Sequence, residues 1–211
     1  FDILKSIKLI KRETPVLIFT NKSEKIHAIK ILKSEEFKPL YDKYKWDIFE
    51  EDHSYVLWDL FDEDELANVK KLGNRLGDPF KLYLAAYDGK ENFIGWSWGF
   101  QDNNTDFYMC NSAVLPEHRR KGIYSALLKK CLSVLREEGF QMAYSRHCAT
   151  NNSVIIPKLK EGFLISKMEL DDKFGVLIHL HYYMNPKRKK VMDYRSGQAK
   201  PDEEIKSLFK M

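Results

Sequence analysis

Apolar positions along this chain fall at two spacings, and the change from one to the other marks out the elements. The segments KLYLAAY (81–87), NFIGWSWGF (92–100) and FYMCNSAVL (107–115) are short, rich in aliphatic and aromatic residues, and separated by the turn-rich DGKEN and QDNNTD. That pattern predicts three consecutive strands. Immediately afterwards, in EHRRKGIYSALLKKCLSVL (117–135), the apolar residues Ile123, Ala126, Leu127, Cys131, Val134 and Leu135 recur at helical spacing, and Gly139 supplies a stop. A second helix is expected over DEDELANVKKLGNRL, where Asp62 and Glu65 have capping-box spacing and Leu66, Val69, Leu72 and Leu76 form a stripe. YVLWDL (55–60) reads as a strand and PVLIF (15–19) as β-like, and a helix is predicted from Ser23, with Ile26, Ile29 and Leu32 near one face. After Gly139 come a strand FQMAYSR, a polar HCATNNS, a short helix towards Glu161 and a hairpin FLISKMEL–DDKFG–VLIHLHYYM. The predicted order is a helical extension over 1–53, an organised domain over 54–184 and a charged tail over 185–211 that ends in a short helix. Within the domain the order β, α, three β, α, β, α, β, β specifies an α/β (α+β) sheet flanked by helices.

Composition excludes several classes. Hydrophobic residues at 44% with 35 Lys+Arg against 31 Asp+Glu describe a globular chain, and a net charge of +4 gives no reason to invoke nucleic acid. Cys110, Cys131 and Cys148 are odd in number and form no CxxC pair, which fits a reducing compartment and a cytoplasmic location. No apolar run reaches membrane-span length, and FDILKSIKLIKR lacks the apolar core of a secretory leader, so no membrane partner is expected.

The charged stretch before the helix carries the first chemistry. A strand ending at Val114, the tight turn LPEHRRKG and a helix beginning near Gly122 aim free backbone N–H groups and the positive helix end at one point. Gly122 lets a phosphate approach the backbone, while Arg119, Arg120 and Lys121 add charge-assisted hydrogen bonds, so a pyrophosphate is the anion that fits.

These residues resemble the acetyl-CoA-binding signature of the GNAT superfamily of N-acetyltransferases, Gln/Arg-x-x-Gly-x-Gly/Ala, met by Arg119 and Gly122 but departing at Tyr124, where a small residue is expected. Downstream, TNNSVIIPKLKEGF is similar to the family's second motif, and the resemblance covers roughly residues 80–184. It implies a mixed, mainly antiparallel central sheet with a splayed strand pair. Acetyl-CoA is then the acyl donor, with pantetheine along Ser112, Ala113 and Val114, pyrophosphate on Arg120, Lys121, Gly122, Ile123, Tyr124 and Ser125, and Asn151 as a further cofactor contact. The implied reaction moves an acetyl group to an amine of a small molecule, peptide or protein, with a homodimer left open. An alkylamine with a pKa near 10.4 has on the order of one molecule in a thousand or fewer uncharged at neutral pH, so proton removal must be assisted. Where many members carry the tyrosine that protonates the thiolate, this chain has Lys158, and where histone-type members carry a glutamate base it has Tyr108. His147 titrates in a useful range and is the alternative base. Pro157 breaks a regular helix from Asn152, which favours an exposed Lys158.

Other features compete. The missing tyrosine and glutamate favour a non-catalytic acyl-CoA-binding module as the alternative class. GWSWG (95–99) matches a nucleophile elbow, which would make the chain a hydrolase through Ser97, although its β-like flanks argue against the required strand–turn–helix. His179 and His181 share a strand face but lack a third metal ligand, so no metal is expected. Glu50, Glu51 and Asp52 read as ordinary surface charge in preference to the lining of a cationic acceptor's entrance, and PKRKK (186–190) as a solvated basic tail in preference to a contact for RNA or the cofactor's ribose phosphate.

Overall fold

The computed structural model describes residues 17–20, 26–49 and 57–211. Among them are eight strands, β1 (Leu17–Thr20), β2 (Ile26–Ile31), β3 (Lys81–Tyr87), β4 (Phe93–Gln101), β5 (Asp106–Val114), β6 (Met142–Cys148), β7 (Leu164–Asp171) and β8 (Gly175–Tyr183). Six α-helices accompany them: α1 (Ser34–Ile48), α2 (Glu63–Arg75), α3 (Ile123–Glu137), α4 (Asn152–Lys160), α5 (Pro186–Arg195) and α6 (Glu203–Phe209). The strands hydrogen-bond in the order β1-β2-β3-β4-β5-β6-β8-β7. β1–β2, β2–β3, β6–β8 and β7–β8 are antiparallel, and β5–β6 is parallel. No helix among the described residues is long and apolar enough to cross a membrane.

The chain divides into two compact units. The first comprises Phe1–His53, Lys81–Gly99 and Asn111–Cys131. Its core gathers Phe37 of α1 with Ala85, Phe93, Trp96, Ala113 and Leu115, and Tyr41 meets Trp96 edge-on at 5.7 Å. β2 corrects the helix expected from Ser23. Ile29 and His27 are buried at alternate positions, Ile29 pairs with Ala86, and the β-branched isoleucines suit a half-buried pleat. The 1–53 segment is therefore not a purely helical appendage, since it contributes two strands to the sheet. Gly95 explains part of GWSWG: a Cβ there would lie 2.7 Å from the Ala113 carbonyl oxygen, so the glycine permits close backbone approach between β4 and β5.

The second unit comprises Ser54–Phe80, Phe100–Cys110 and Leu132–Met211. α2 begins as the capping box predicts, with Asp62 Oδ1 accepting from Glu65 N and Glu65 Oε2 from Asp62 N. The YVLWDL segment is a 3-10 turn over Leu57–Leu60 where described, not a strand. The tail is ordered further than composition implies. Asn185 caps α5, Asp202 caps α6, Ile205 is buried, and Lys190 joins the two helices through Asp202 and Glu204.

Within this unit the β5–β6 register runs only from Asp106↔Met142 to Tyr108↔Tyr144, whereas β6 continues against β8 as far as Cys148↔Leu177. The parallel pair therefore ends early, and β6 residues from Ser145 onward pair with β8.

Candidate active site

The turn between β5 and α3 lies wholly in the first unit. A 3-10 turn over Pro116–His118 reverses the chain, and Arg119 Nε donates to the Val114 carbonyl at 3.1 Å, fastening the turn to the strand end. Arg120 and Gly122 both have left-handed φ, 61° and 81°. Arg120 is the costly one, because it carries a Cβ in a conformation that favours glycine. The Ala126 amide reaches back to Gly122 O, so the helix opens at Gly122 and the amides of Ile123, Tyr124 and Ser125 point off its end. A Cβ on Gly122 would meet nothing within 4 Å, which leaves open space at this cradle. In the first turn of the helix, the Tyr124 hydroxyl is buried without a hydrogen-bond partner, and burial, then Cys131, pushes its pKa well above the usual phenol range. Tyr124 occupies the family's small-residue position, and its side chain is buried.

Of the expected pantetheine residues, Ala113 and Val114 are buried. Ser112 Oγ donates to Ser97 Oγ at 2.8 Å. That contact, with Ser97 3% exposed in the middle of β4, removes the hydrolase reading: the serine lies on an extended strand with no elbow, its hydroxyl turned to a neighbouring strand. Val114 O is already engaged by Arg119, so Arg119 serves the turn as well as any anion.

In the second unit two groups of polar side chains lie on opposite faces of the same strands. On one face, Lys158 of α4 is buried, 2% exposed, which corrects the expectation of an exposed lysine. The helix continues through Pro157 from Asn152 to Lys160, and the turn C-terminal to the proline keeps its bonds, with Glu161 N donating to Pro157 O. Lys158 Nζ donates to Ser145 Oγ at 2.6 Å, lies 3.6 Å from Met109 Sδ, and sits 4.9 Å over the Phe163 ring. Ser145 Oγ is in turn 2.8 Å from His147 Nε2. A serine hydroxyl has one proton, so with Lys158 donating to its oxygen the hydroxyl donates onward, and His147 accepts at Nε2 with its own proton on Nδ1. Burial, then the charge of Lys158, pushes the His147 pKa down to about 3, leaving the imidazole neutral at neutral pH.

On the other face a cavity of about 490 Å³ is lined by Tyr108, Tyr144, Arg146, Glu169, His179 and His181 among others. Arg146 Nε donates to the Tyr108 hydroxyl at 3.3 Å, and Nη1 to Glu169 and Asp171 at 3.1 and 3.4 Å. His179, buried, hydrogen-bonds Glu169, which holds that carboxyl below its usual range together with Arg146. Tyr144 OH donates to Asp102 at 2.9 Å. Burial raises the Tyr108 pKa, so Tyr108 is a neutral phenol and not a substitute for a glutamate base. Burial also lowers His181 to about 4.

Of the sequence-predicted residues, the turn from Arg119 to Ser125 forms one cradle, and His147 and Lys158 form one chain. Tyr108 stands apart on the opposite face. Asn151 precedes α4 and accepts from Ser153 Oγ. His179 is tied to Glu169, and no group of three His, Cys, Asp or Glu arranged for a metal occurs among the described residues. Glu50, Glu51 and Asp52 lie outside the described residues. Sequence reasoning missed Ser145, Arg146 and Glu169. Ser145 was findable, because it alternates with His147 on one strand face.

Residues 29–157 match the family model described as the acetyltransferase (GNAT) family, and the chain belongs to that family. No curated protein matches it. Among solved structures it is similar to the GNAT domain of S. lividans PAT, at 16% identity, TM-score 0.58, with 82% of this chain and 100% of that one covered. It is similar to yncA, an acetyltransferase from Salmonella typhimurium with its cofactor acetyl-CoA, at 16% identity, TM-score 0.53, covering 75% and 94%. Against nourseothricin acetyltransferase the chain covers 66% of that protein's length and 50% of its own, at 17% identity and TM-score 0.46. The likeness to the GNAT domain of S. lividans PAT and to yncA is one of fold.

Proposed function

We propose that this chain is an acetyl-CoA-dependent N-acetyltransferase acting on a primary amine. The observation that carries the reading is the Arg119–Ser125 cradle, where left-handed Arg120 and Gly122 open a helix end onto free space. The residues fit a pyrophosphate: the amides of Ile123, Tyr124 and Ser125 and the Arg120 and Lys121 side chains hold it. Ser112 offers backbone groups to the pantetheine arm. When bound, acetyl-CoA supplies a thioester acetyl group open to attack by a neutral amine.

This chain's own residues then handle protons on the two faces. Lys158 Nζ holds the proton that a departing thiolate takes, in place of the family's tyrosine. Ser145 and His147 return one once the imidazole has moved its proton from Nδ1 to Nε2: Nε2–H donates to Ser145 Oγ, the Ser145 hydroxyl donates to Lys158 Nζ, and Nδ1 takes up the replacement proton from solvent. His147 is thus a relay and not the amine's base, because it lies on Lys158's face of the strands and titrates near 3. On the cavity face, the neutral His181 imidazole is the group available to an amine giving up its proton. The acceptor-side chemistry distinguishes this reading from a non-catalytic acyl-CoA module.

The test is Gly122→Asp. A carboxylate in the cradle brings bulk and like charge to the pyrophosphate, and acetyl-CoA affinity by calorimetry falls at least tenfold, about 1.4 kcal/mol. Unchanged affinity in the folded variant removes the phosphate site, and absence of thiol release across an amine panel with affinity intact selects the non-catalytic module.

A further inference from the structure

From the cavity on the β5–β6–β8 face we infer that the acceptor is a small aliphatic diamine, whose second, non-reacting ammonium is held by Asp102 and Asp106 against the faces of Tyr108 and Tyr144. The inference rests on the acetyltransferase reading and deepens it by naming the substrate class.

Charge is the first support. Four carboxylates belong to the cavity or to the arginine lining it, Asp102, Asp106, Glu169 and Asp171, against two cations, Arg146 and Lys167. Arg146 is spent on Glu169 and Asp171, so Asp102 and Asp106 face the cavity with Lys167, an exposed side chain, and Arg188, which stacks over Tyr183 and acts on His181, as the cations of opposite sign. His181 adds no positive charge, since burial keeps its imidazole neutral.

The second support is the aromatic wall. The Tyr108 and Tyr144 rings lie 5.1 Å apart, and Phe100 meets Tyr108 edge-on at 5.5 Å. The wall already takes a cation, for the Arg146 guanidinium sits 5.4 Å from the Tyr108 ring centre. A volume of about 490 Å³ is the size of a small-molecule site.

Reaction chemistry turns this into a statement about two amines. The attacking nitrogen must lose its charge before it reacts, and carboxylates beside it would raise its pKa and oppose that loss. Acidic residues set back from the reacting nitrogen, which do not take its proton, therefore aid a substrate through a second cationic centre that stays protonated. Position agrees. Asp106 is the first β5 residue paired to β6 and Tyr108 the last, so carboxylate and the end of the pairing are separated by two residues of strand, about 7 Å. That is the separation of the two nitrogens in a diamine of the length of 1,5-diaminopentane. Asp102 is already oriented towards the wall by the Tyr144 hydroxyl at 2.9 Å.

The experiment compares three chains of one length on the full protein: 1,5-diaminopentane, pentylamine and 5-aminopentanoate. Calorimetry gives affinity without acetyl-CoA, and thiol release gives kcat/KM with it. The diamine is expected to exceed pentylamine at least tenfold in both, with 5-aminopentanoate weakest. Asp102→Asn with Asp106→Asn should bring the diamine-to-monoamine ratio close to one. Asp106 also accepts from Thr105 and Asn103 in its turn, so the exposed Asp102→Lys, which leaves those bonds alone, is the second variant and should reverse the preference. Equal use of the diamine and pentylamine, preference for the carboxylate-bearing chain, or a ratio untouched by either variant overturns the proposal while leaving acetyl transfer standing. Diamine binding that the variants abolish, without thiol release from any amine, keeps the site and overturns the transferase reading.

Discussion

A lysine 2% exposed is expensive unless its ammonium is engaged, and Lys158 sits over an aromatic face and donates to a hydroxyl. Replacing it separates its possible roles. Lys158→Met keeps the length and apolar stem and removes the proton, so turnover should fall by an order of magnitude or more with acetyl-CoA affinity retained, read as kcat loss in steady-state kinetics. The neighbouring imidazole supplies an independent readout. Burial is the larger cause of the low His147 pKa and the Lys158 charge the smaller. In Lys158→Met the His147 pKa, followed by NMR titration, should therefore rise from about 3 yet stay below 6.5. An unmoved pKa means that the two groups are not coupled. For the same reason the native activity profile should show no step assignable to His147 between pH 5 and 8.

At the scale of elements, two strands and a turn carry the argument, and one glycine tests it. Gly95 on β4 leaves room for the Ala113 carbonyl, and a methyl group 2.7 Å from a backbone oxygen has no flexible partner to displace. Gly95→Ala should cost about 1–3 kcal/mol in denaturant unfolding, whereas Ser97→Ala, which loses only its bond to Ser112, should cost less and leave activity in place. The reverse order would restore a special role for Ser97. The elements themselves were legible wherever periodicity and punctuation agreed: the three central strands, the helix stopped at Gly139 and the Asp62 capping box are where the spacing puts them. The spacing failed at β2. Ile26, Ile29 and Leu32 satisfy a helical stripe, yet Ile29, Ile31 and buried His27 satisfy a strand equally well, and pairing with β3 decides between them. Lys158 was misjudged for a different reason. Proline forbids one hydrogen bond, but α4 continues past it, and the side chain's direction depends on Ser145, Met109 and Phe163, far away in sequence.

At the scale of the whole molecule, the site's polar groups are themselves a load on the fold, and the load has a sign in pH. His147 and His181 titrate in the folded protein at about 3 and about 4, both lowered first by burial, against 6.5 when free. Between those values and 6.5 the unfolded chain binds more protons than the folded one, so stability rises with pH across that window and is lost as pH falls through it. The contribution is fully present above 6.5. Carboxylates whose folded pKa is lowered, such as Glu169 beside His179 and Arg146, add a second loss at lower pH, where protonation removes the charge that those partners stabilise. The expectation is a melting temperature flat from neutral pH down to about 6.5 and then declining steadily, beginning well above the carboxylate range. His147→Gln with His181→Gln removes the two imidazoles that must stay neutral, and the decline between pH 6.5 and 4.5 should become distinctly shallower than in the native chain, measured as Tm against pH at constant ionic strength. A slope unchanged by the double substitution would mean that neither imidazole is held neutral by the fold, and with that the assignment of His147 as a neutral relay between Ser145 and solvent would go too.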